Sequence, residues 1–158
     1  MCIDKLFKRK NNIPDKNETI SLQKSEGEHN YINTDHDLIV DDSDPNRLVI
    51  KKYLTRFGRK SDEACNGQDA IDIITKNSSA LKMYDIIWMD IQMPKMNGIN
   101  CTEHLRTVLK YKGIIIGLTG HVDIDSVNDC KRVGMDDIIA KPIDKKILEM
   151  YIEKYKKK

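Results

Sequence analysis

The chain has 158 residues, 39% apolar and 33% charged, with a net charge of +2, which suits one globular domain with modest additions. Residues 31–144 carry 15 Lys/Arg against 18 Asp/Glu and residues 145–158 carry six Lys against two Glu, so the body is mildly acidic and offers no footprint for nucleic acid. Cys2, Cys65, Cys101 and Cys130 form no CxxC pair and no His stands at zinc spacing, which excludes a zinc knuckle and points to a reducing, cytoplasmic compartment; no apolar run approaches the roughly 18 residues of a membrane span.

Residues 1–33 are Lys, Asn, Asp, Glu and Ser broken by Pro14 and Gly27, too polar to offset the entropy of ordering, and are expected to form a disordered, dispensable tail. Within them Ile3, Leu6 and Phe7 share a helical face beside Lys5, Lys8, Arg9 and Lys10, after Cys2. So short an amphipathic stretch arises readily by chance, and Cys2 stands where N-myristoylation requires glycine, so the tail reading outweighs a membrane anchor.

A first strand is expected at His36–Val40. Asp44-Pro45 then reads as a helix start, with Asp44 as the cap and Pro at the first helical position. Leu48, Val49, Tyr53, Leu54 and Phe57 continue that helix to Gly58. Lys60–Cys65 is a weak, polar, peripheral strand, and Gly67–Lys76 a helix facing inward with Ala70, Ile71, Ile73 and Ile74. A strand at Asp85–Met89, a turn at Met93–Gly98 and a helix at Ile99–Lys110 follow. Ile114–Leu118 is a strand, and Asp123–Val133 a helix closed by Gly134 in the C′ position. Asp137–Ala140 is the fifth strand and Lys145–Tyr155 the last helix. Five strand–helix repeats with Ile/Val/Leu strands predict an α/β fold, a doubly wound five-stranded parallel sheet flanked by five helices, over residues 34–158.

In such a sheet the carboxyl ends of the strands lie together and ligands bind there. The apolar runs end in Asp41-Asp42, in Asp90, in Thr119 and in Lys141. Each has a bland reading alone: a cap for Thr119, a surface lysine for Lys141, a salt-bridge partner for a lone Asp. Asp41 and Asp42 are harder to dismiss, because adjacent carboxylates repel unless a cation offsets them. Hard oxygen ligands with open water positions suit Mg²⁺. Three acids, a hydroxyl and an ammonium at one edge can hold a divalent cation and accept a phosphoryl group.

His36-Asp-Leu-Ile-Val-Asp-Asp42, Trp88-Met-Asp-Ile-Gln-Met-Pro-Lys-Met-Asn-Gly98, Gly117-Leu-Thr-Gly120 and Ile139-Ala-Lys-Pro142 together resemble the receiver, or response-regulator, domain family with its CheY-like, flavodoxin-like fold. The resemblance covers residue 36 to about residue 155, and its wording is similar to receivers of hybrid histidine kinases and phosphorelays. It implies that Asp90 is the phosphoacceptor and that Thr119 and Lys141 contact the phosphoryl oxygens. It also implies that Asp41, Asp42, Asp90 and the Gln92 carbonyl hold Mg²⁺, and that Lys141-Pro142 is cis. One departure is Ile138, which stands where family members often carry the aromatic residue of the switch.

The function implied is a stand-alone phosphoacceptor of a two-component phosphorelay, a monomer or weak homodimer rather than an enzyme. Its partner is a histidine kinase or a histidine phosphotransfer protein. A haloacid-dehalogenase-type phosphatase would need a second Asp where Gln92 stands. A histidine kinase would need glycine-rich ATP-site boxes that this chain lacks, and His29, His36, His104 and His121 lack the context of a phosphotransfer histidine. The remaining alternative is a degenerate receiver that binds proteins without phosphorylation, which Ile138 keeps open.

Overall fold

A strand covered on both faces needs a continuous apolar run, whereas a helix needs only a stripe, and that difference divides this chain into alternating elements. The computed structural model describes residues 20–21, 34–76, 81–121 and 123–156. In chain order they form β1 (Ile20–Ser21), β2 (His36–Val40), α1 (Asp44–Arg56), β3 (Lys60–Ala64), α2 (Gly67–Thr75) and β4 (Ile86–Asp90). Then come α3 (Gly98–Thr107), β5 (Ile114–Thr119), α4 (Ile124–Val133), β6 (Asp137–Ala140) and α5 (Lys145–Tyr155).

The strands lie in one sheet in the order β1-β6-β5-β4-β2-β3. From β2 to β6 every pairing is parallel, as the alternation of strands with helices requires. The chain steps outward from β2 to β3 and returns to β4 on the other side of β2, so a crevice opens between the carboxyl ends of β2 and β4. Asp41 and Asp90 stand on its two sides. The polar β3 takes the sheet edge, where half-exposed side chains are tolerated.

The sheet holds one strand more than the expected five. Ile20 and Ser21 pair antiparallel with Ile138 and Asp137, because the outer side of β6 presents unpaired backbone groups to any extended segment. The rest of the expected tail, with the amphipathic stretch around Ile3–Lys10, lies outside the described residues.

Alternation along each strand divides the core between two layers. Leu38, Val40, Ile87, Met89 and Ile115 pack under α2, α3 and α4. Ile39, Trp88, Ile116, Leu118 and Ile139 pack under α1 and α5. The helices begin on side-chain caps: Asn66, Asn97, Asp123 and Asp144 each accept a hydrogen bond from a backbone N–H three residues on. The first helix departs from its expected start. Ser43 occupies the cap position without a side-chain bond, and Asp44 is the first helical residue, where its charge favours the helix N-terminus and it pairs with Arg47.

At the opposite end of the strands from the carboxyl-end crevice, Asp37 is fully buried within β2. Arg59 grips it through Nε (3.0 Å) and Nη2 (2.7 Å), and also reaches Asp85 at 2.9 Å. Burial pushes the Asp37 pKa up despite the guanidinium. The Trp88 indole N–H completes the cluster by donating to Asp37 at 3.2 Å.

Candidate functional site

Each site residue sits where an apolar strand surfaces. Asp41 follows β2 directly and is fully buried, while Asp42 turns outward into solvent. The turn into α1 closes around Asp41. Its Oδ1 accepts from the Ser43 N–H (2.9 Å), Asn46 Nδ2 lies 3.1 and 3.2 Å from the two oxygens, and Arg47 donates to the Asp41 carbonyl at 2.7 Å. Asn46 is a functional neighbour that sequence reasoning missed; its only signal is an amide in the first turn of a helix that begins at an acidic pair.

Asp90 closes β4 and is 4% exposed. The Gln92 N–H donates to its Oδ1 at 3.2 Å. The start of α3 presses so close that a Cβ on Gly98 would stand 2.2 Å from the Asp90 carbonyl oxygen, so only glycine fits there.

Lys141 follows β6, and its backbone N–H extends the sheet ladder to the Thr119 carbonyl at 2.7 Å. Its Nζ lies 2.8 Å from Asp41 Oδ2 and 3.0 Å from Asp90 Oδ2, bridging the two buried carboxylates. The following Lys141-Pro142 bond is cis, as the resemblance implied. Thr119 ends β5, buried, with its hydroxyl donating to the His121 carbonyl (2.7 Å) and accepting from the His121 N–H (3.1 Å). The His121 ring itself is exposed beside Asp123, a surface loop residue whose backbone, not its imidazole, touches the site.

Carboxylate oxygens of Asp41, Asp42 and Asp90 lie within 4.8 Å of one another. Three carboxylates and one ammonium leave the cluster with a charge of −2, the deficit that one dication neutralises. Hard oxygen donors that are partly open to water are what Mg²⁺ takes, so the residues present fit the ion. Burial, and then the neighbouring Asp41, raise the Asp90 pKa against the pull of Lys141. Burial alone would lower the Lys141 pKa, but its bonds to Asp41 and Asp90 carry it above the usual lysine value. Gln92 sits two residues beyond Asp90 in the exposed β4–α3 loop, so the chain brings every expected site residue to one end of the sheet.

Beside the cluster a cleft of about 170 Å³ runs between Asn46 and Val49 of α1 and the Lys141-Pro142-Ile143 segment, with Asp41 at its floor. Val49, which lines this cleft, is half exposed, as is the preceding Leu48 on α1. Two residues lie elsewhere. Ile138 is 2% exposed in the layer under α2, α3 and α4, so it is a core residue in this chain. Trp88, two residues before Asp90, points its indole away from the site to Asp37, which makes it a poor optical reporter of metal binding.

The model of the response regulator receiver domain family matches residues 38–153. The osmosensing histidine protein kinase SLN1 of Saccharomyces cerevisiae is 34% identical over 119 residues, 75% of this chain but 10% of the kinase. Two-component response regulator 24 of Arabidopsis thaliana is 35% identical over 106 residues, 67% of this chain and 73% of that protein. The chain thus spans about a tenth of the hybrid kinase and most of the plant regulator. Among solved structures, the CheX-CheY-BeF₃-Mg²⁺ complex of Borrelia burgdorferi is similar with a TM-score of 0.67 and 29% identity, covering 77% of this chain and 90% of that one. A two-component response regulator from Clostridium difficile gives 0.68 and 26%, covering 76% and 93%.

Proposed function

The chain belongs to the response regulator receiver domain family, and from that premise we propose that it accepts a phosphoryl group from a phosphohistidine onto Asp90, with Mg²⁺ as its cofactor. An Asp90 carboxylate oxygen forms the new O–P bond while the P–N bond of the donor breaks, and the leaving imidazole nitrogen keeps the electron pair. Bringing a carboxylate to a phosphoryl group sets like charges together, so the step needs fixed positive charge close by. Lys141 supplies one such charge, already 3.0 Å from Asp90. Asp41, Asp42, Asp90 and the Gln92 carbonyl would hold Mg²⁺, which would supply the other. Thr119 donates its hydroxyl to a phosphoryl oxygen once it leaves the His121 carbonyl.

The observation that carries this reading is the Lys141 ammonium bridging two buried carboxylates, with a third carboxylate within dication reach. A site used only as a docking surface has no need for that arrangement, and buried charge of this kind is costly unless it serves a purpose. Ile138, which kept the binding-only alternative open, is fully packed in the core. The donor is a histidine kinase or a phosphotransfer protein, docking over Val49 at the apolar rim of the cleft. The role is that of a phosphoryl acceptor within a relay, in the cytoplasm, rather than of a turnover enzyme. Among the described residues no helix is long and apolar enough to cross a membrane.

Incubation with acetyl phosphate and Mg²⁺, followed by intact-mass measurement, tests the proposal. The wild type gains one phosphoryl group, and neither the Asp90→Asn variant nor the wild type in EDTA does. Labelling of Asp90→Asn at wild-type stoichiometry would move the acceptor to another residue and sink the assignment.

A further inference from the structure

We propose that Asn46 selects the cation of this site: its side-chain amide stands in the chelating position of Asp41, so that Asp41 offers a metal one oxygen and not two, which favours Mg²⁺ over Ca²⁺. The proposal deepens the Mg²⁺ reading given above and rests on it.

A carboxylate binds a cation through a single oxygen or through both at once. Ca²⁺ takes about six to eight oxygens in flexible geometry and accepts both oxygens of one carboxylate. Mg²⁺ is smaller and demands a near-ideal octahedron, which the narrow angle between two oxygens of one carboxylate fits poorly. A device that blocks chelation therefore costs Ca²⁺ a ligand and leaves Mg²⁺ its own.

Asn46 has the geometry of such a device. Its Nδ2 lies 3.1 Å from Asp41 Oδ1 and 3.2 Å from Oδ2. These near-equal distances put the nitrogen in front of the two oxygens and midway between them, where a cation bound by both must sit. On the flanks, the Ser43 N–H donates to Oδ1 at 2.9 Å and Lys141 Nζ lies 2.8 Å from Oδ2. A carboxylate has room for about four such contacts, and these donors fill them. Yielding the Lys141 contact frees a single position on Oδ2 for a metal, while the chelating position stays closed.

The first turn of α1 fixes Asn46 in that place. Asn46 follows Pro45, whose ring sets its own backbone angle, and the Arg47 N–H bonds to the Ser43 carbonyl at 3.1 Å. The Arg47 guanidinium also donates to the Asp41 carbonyl at 2.7 Å, so the turn grips Asp41 at backbone and side chain together. Asp90 is held differently, with the Gln92 N–H on Oδ1 and Lys141 on Oδ2. Asp41 is thus the acid whose mode of binding the chain dictates, and Asn46 is the positioning residue that dictates it.

The test titrates the full chain with MgCl₂ and, separately, with CaCl₂, following the Asp42 and Gln92 amides by NMR. Wild type is compared with Asn46→Ala, which opens the position, and Asn46→Leu, which keeps the bulk without a donor. Asn46 is exposed on its helix, where both replacements are good helix formers, and a melt in EDTA checks that each variant folds. In both variants the ratio of the Ca²⁺ Kd to the Mg²⁺ Kd should fall about tenfold, the lower end of what partners of metal ligands ordinarily control. A residue that merely anchors α1 would shift both affinities alike and leave the ratio in place. An unchanged ratio in either variant, with both ions still bound, overturns the role of Asn46 and leaves the Mg²⁺ reading standing. If neither ion moves the two amides of the wild type, the Mg²⁺ reading fails and the proposal fails with it.

Discussion

Replacing Asp90 by asparagine should make the metal-free protein more stable. Asp90 is 4% exposed and shares the single Lys141 ammonium with Asp41, which is wholly buried. Burial, and then Asp41, raise its pKa, so the folded protein favours the neutral form more than the unfolded chain does. At neutral pH the ionised side chain therefore costs stability. Asparagine is nearly isosteric, keeps an acceptor for the Gln92 N–H and removes the charge. Relieving one buried, imperfectly paired group is worth about 1 kcal/mol, or about 3–5 °C in Tm for a domain of this size. The sign with pH follows from the raised folded pKa. The variant's advantage is absent below the ordinary carboxylate value of 3.8, grows as pH rises from there to the raised folded value, and is complete above it. Magnesium acts the other way: a ligand at ten times its Kd adds ~1.4 kcal/mol to the protein that binds it, which restores the wild type to parity or better. Thermal melts by circular dichroism in EDTA and in Mg²⁺, across the acidic to neutral range, measure all of this. If the Asp90→Asn variant melts below the wild type in EDTA at neutral pH, Lys141 stabilises the carboxylate more than burial destabilises it, and the reasoning is refuted.

Gly98→Ala places a methyl 2.2 Å from the Asp90 carbonyl oxygen; backbone must move, so a loss of about 2 kcal/mol or more is expected with weakened acetyl-phosphate labelling, and a wild-type Tm would contradict the contact. Val49→Asp puts a charge on the apolar rim of the cleft, so phosphoryl transfer from a phosphohistidine protein should slow about tenfold, near 1.4 kcal/mol of docking energy, while labelling by acetyl phosphate stays unchanged; equal slowing with both donors would place Val49 in the site instead. Arg59→Met strands the buried Asp37 carboxylate and should cost about 3–5 kcal/mol, read by urea denaturation, with the companion change Asp37→Asn recovering much of the loss.

Much of this molecule could be read from periodicity. β2, β4, β5 and β6 are apolar runs bounded by turn residues, and their ends named Asp41, Asp90, Thr119 and Lys141 as one cluster because parallel strands place their carboxyl ends together. What escaped was interaction across long sequence separation. The Arg59–Asp37 pair joins residues 22 apart, and its only local trace is a carboxylate lodged in the apolar run of β2. The same cluster draws the Trp88 indole toward Asp37, away from the carboxyl ends of the strands. Ser43, not Asp44, caps α1, since Asp41 already holds the Ser43 N–H and the helix starts one residue earlier than the proline suggests. β1 left only a faint signal: Ile20-Ser21-Leu22-Gln23 alternates apolar and polar residues over four positions, too briefly to stand out in a polar segment, and its pairing is made by backbone, which every residue carries.

The bridge from Lys141 to Asp41 spans 100 residues, and this imposes an order on synthesis. Asp41, Asp42 and Asp90 all leave the ribosome before their cation, which follows Asp90 by 51 residues; at about 5–20 residues per second the interval is about 3–10 s. During that time the nascent chain holds three carboxylates with no Lys141 ammonium to offset their mutual repulsion at the ends of β2 and β4. Arrival of Lys141 offsets one of the three charges and leaves a balance of −2, so the last strand to emerge completes the sheet and supplies the ammonium of the pocket, and a chain released before that strand has neither.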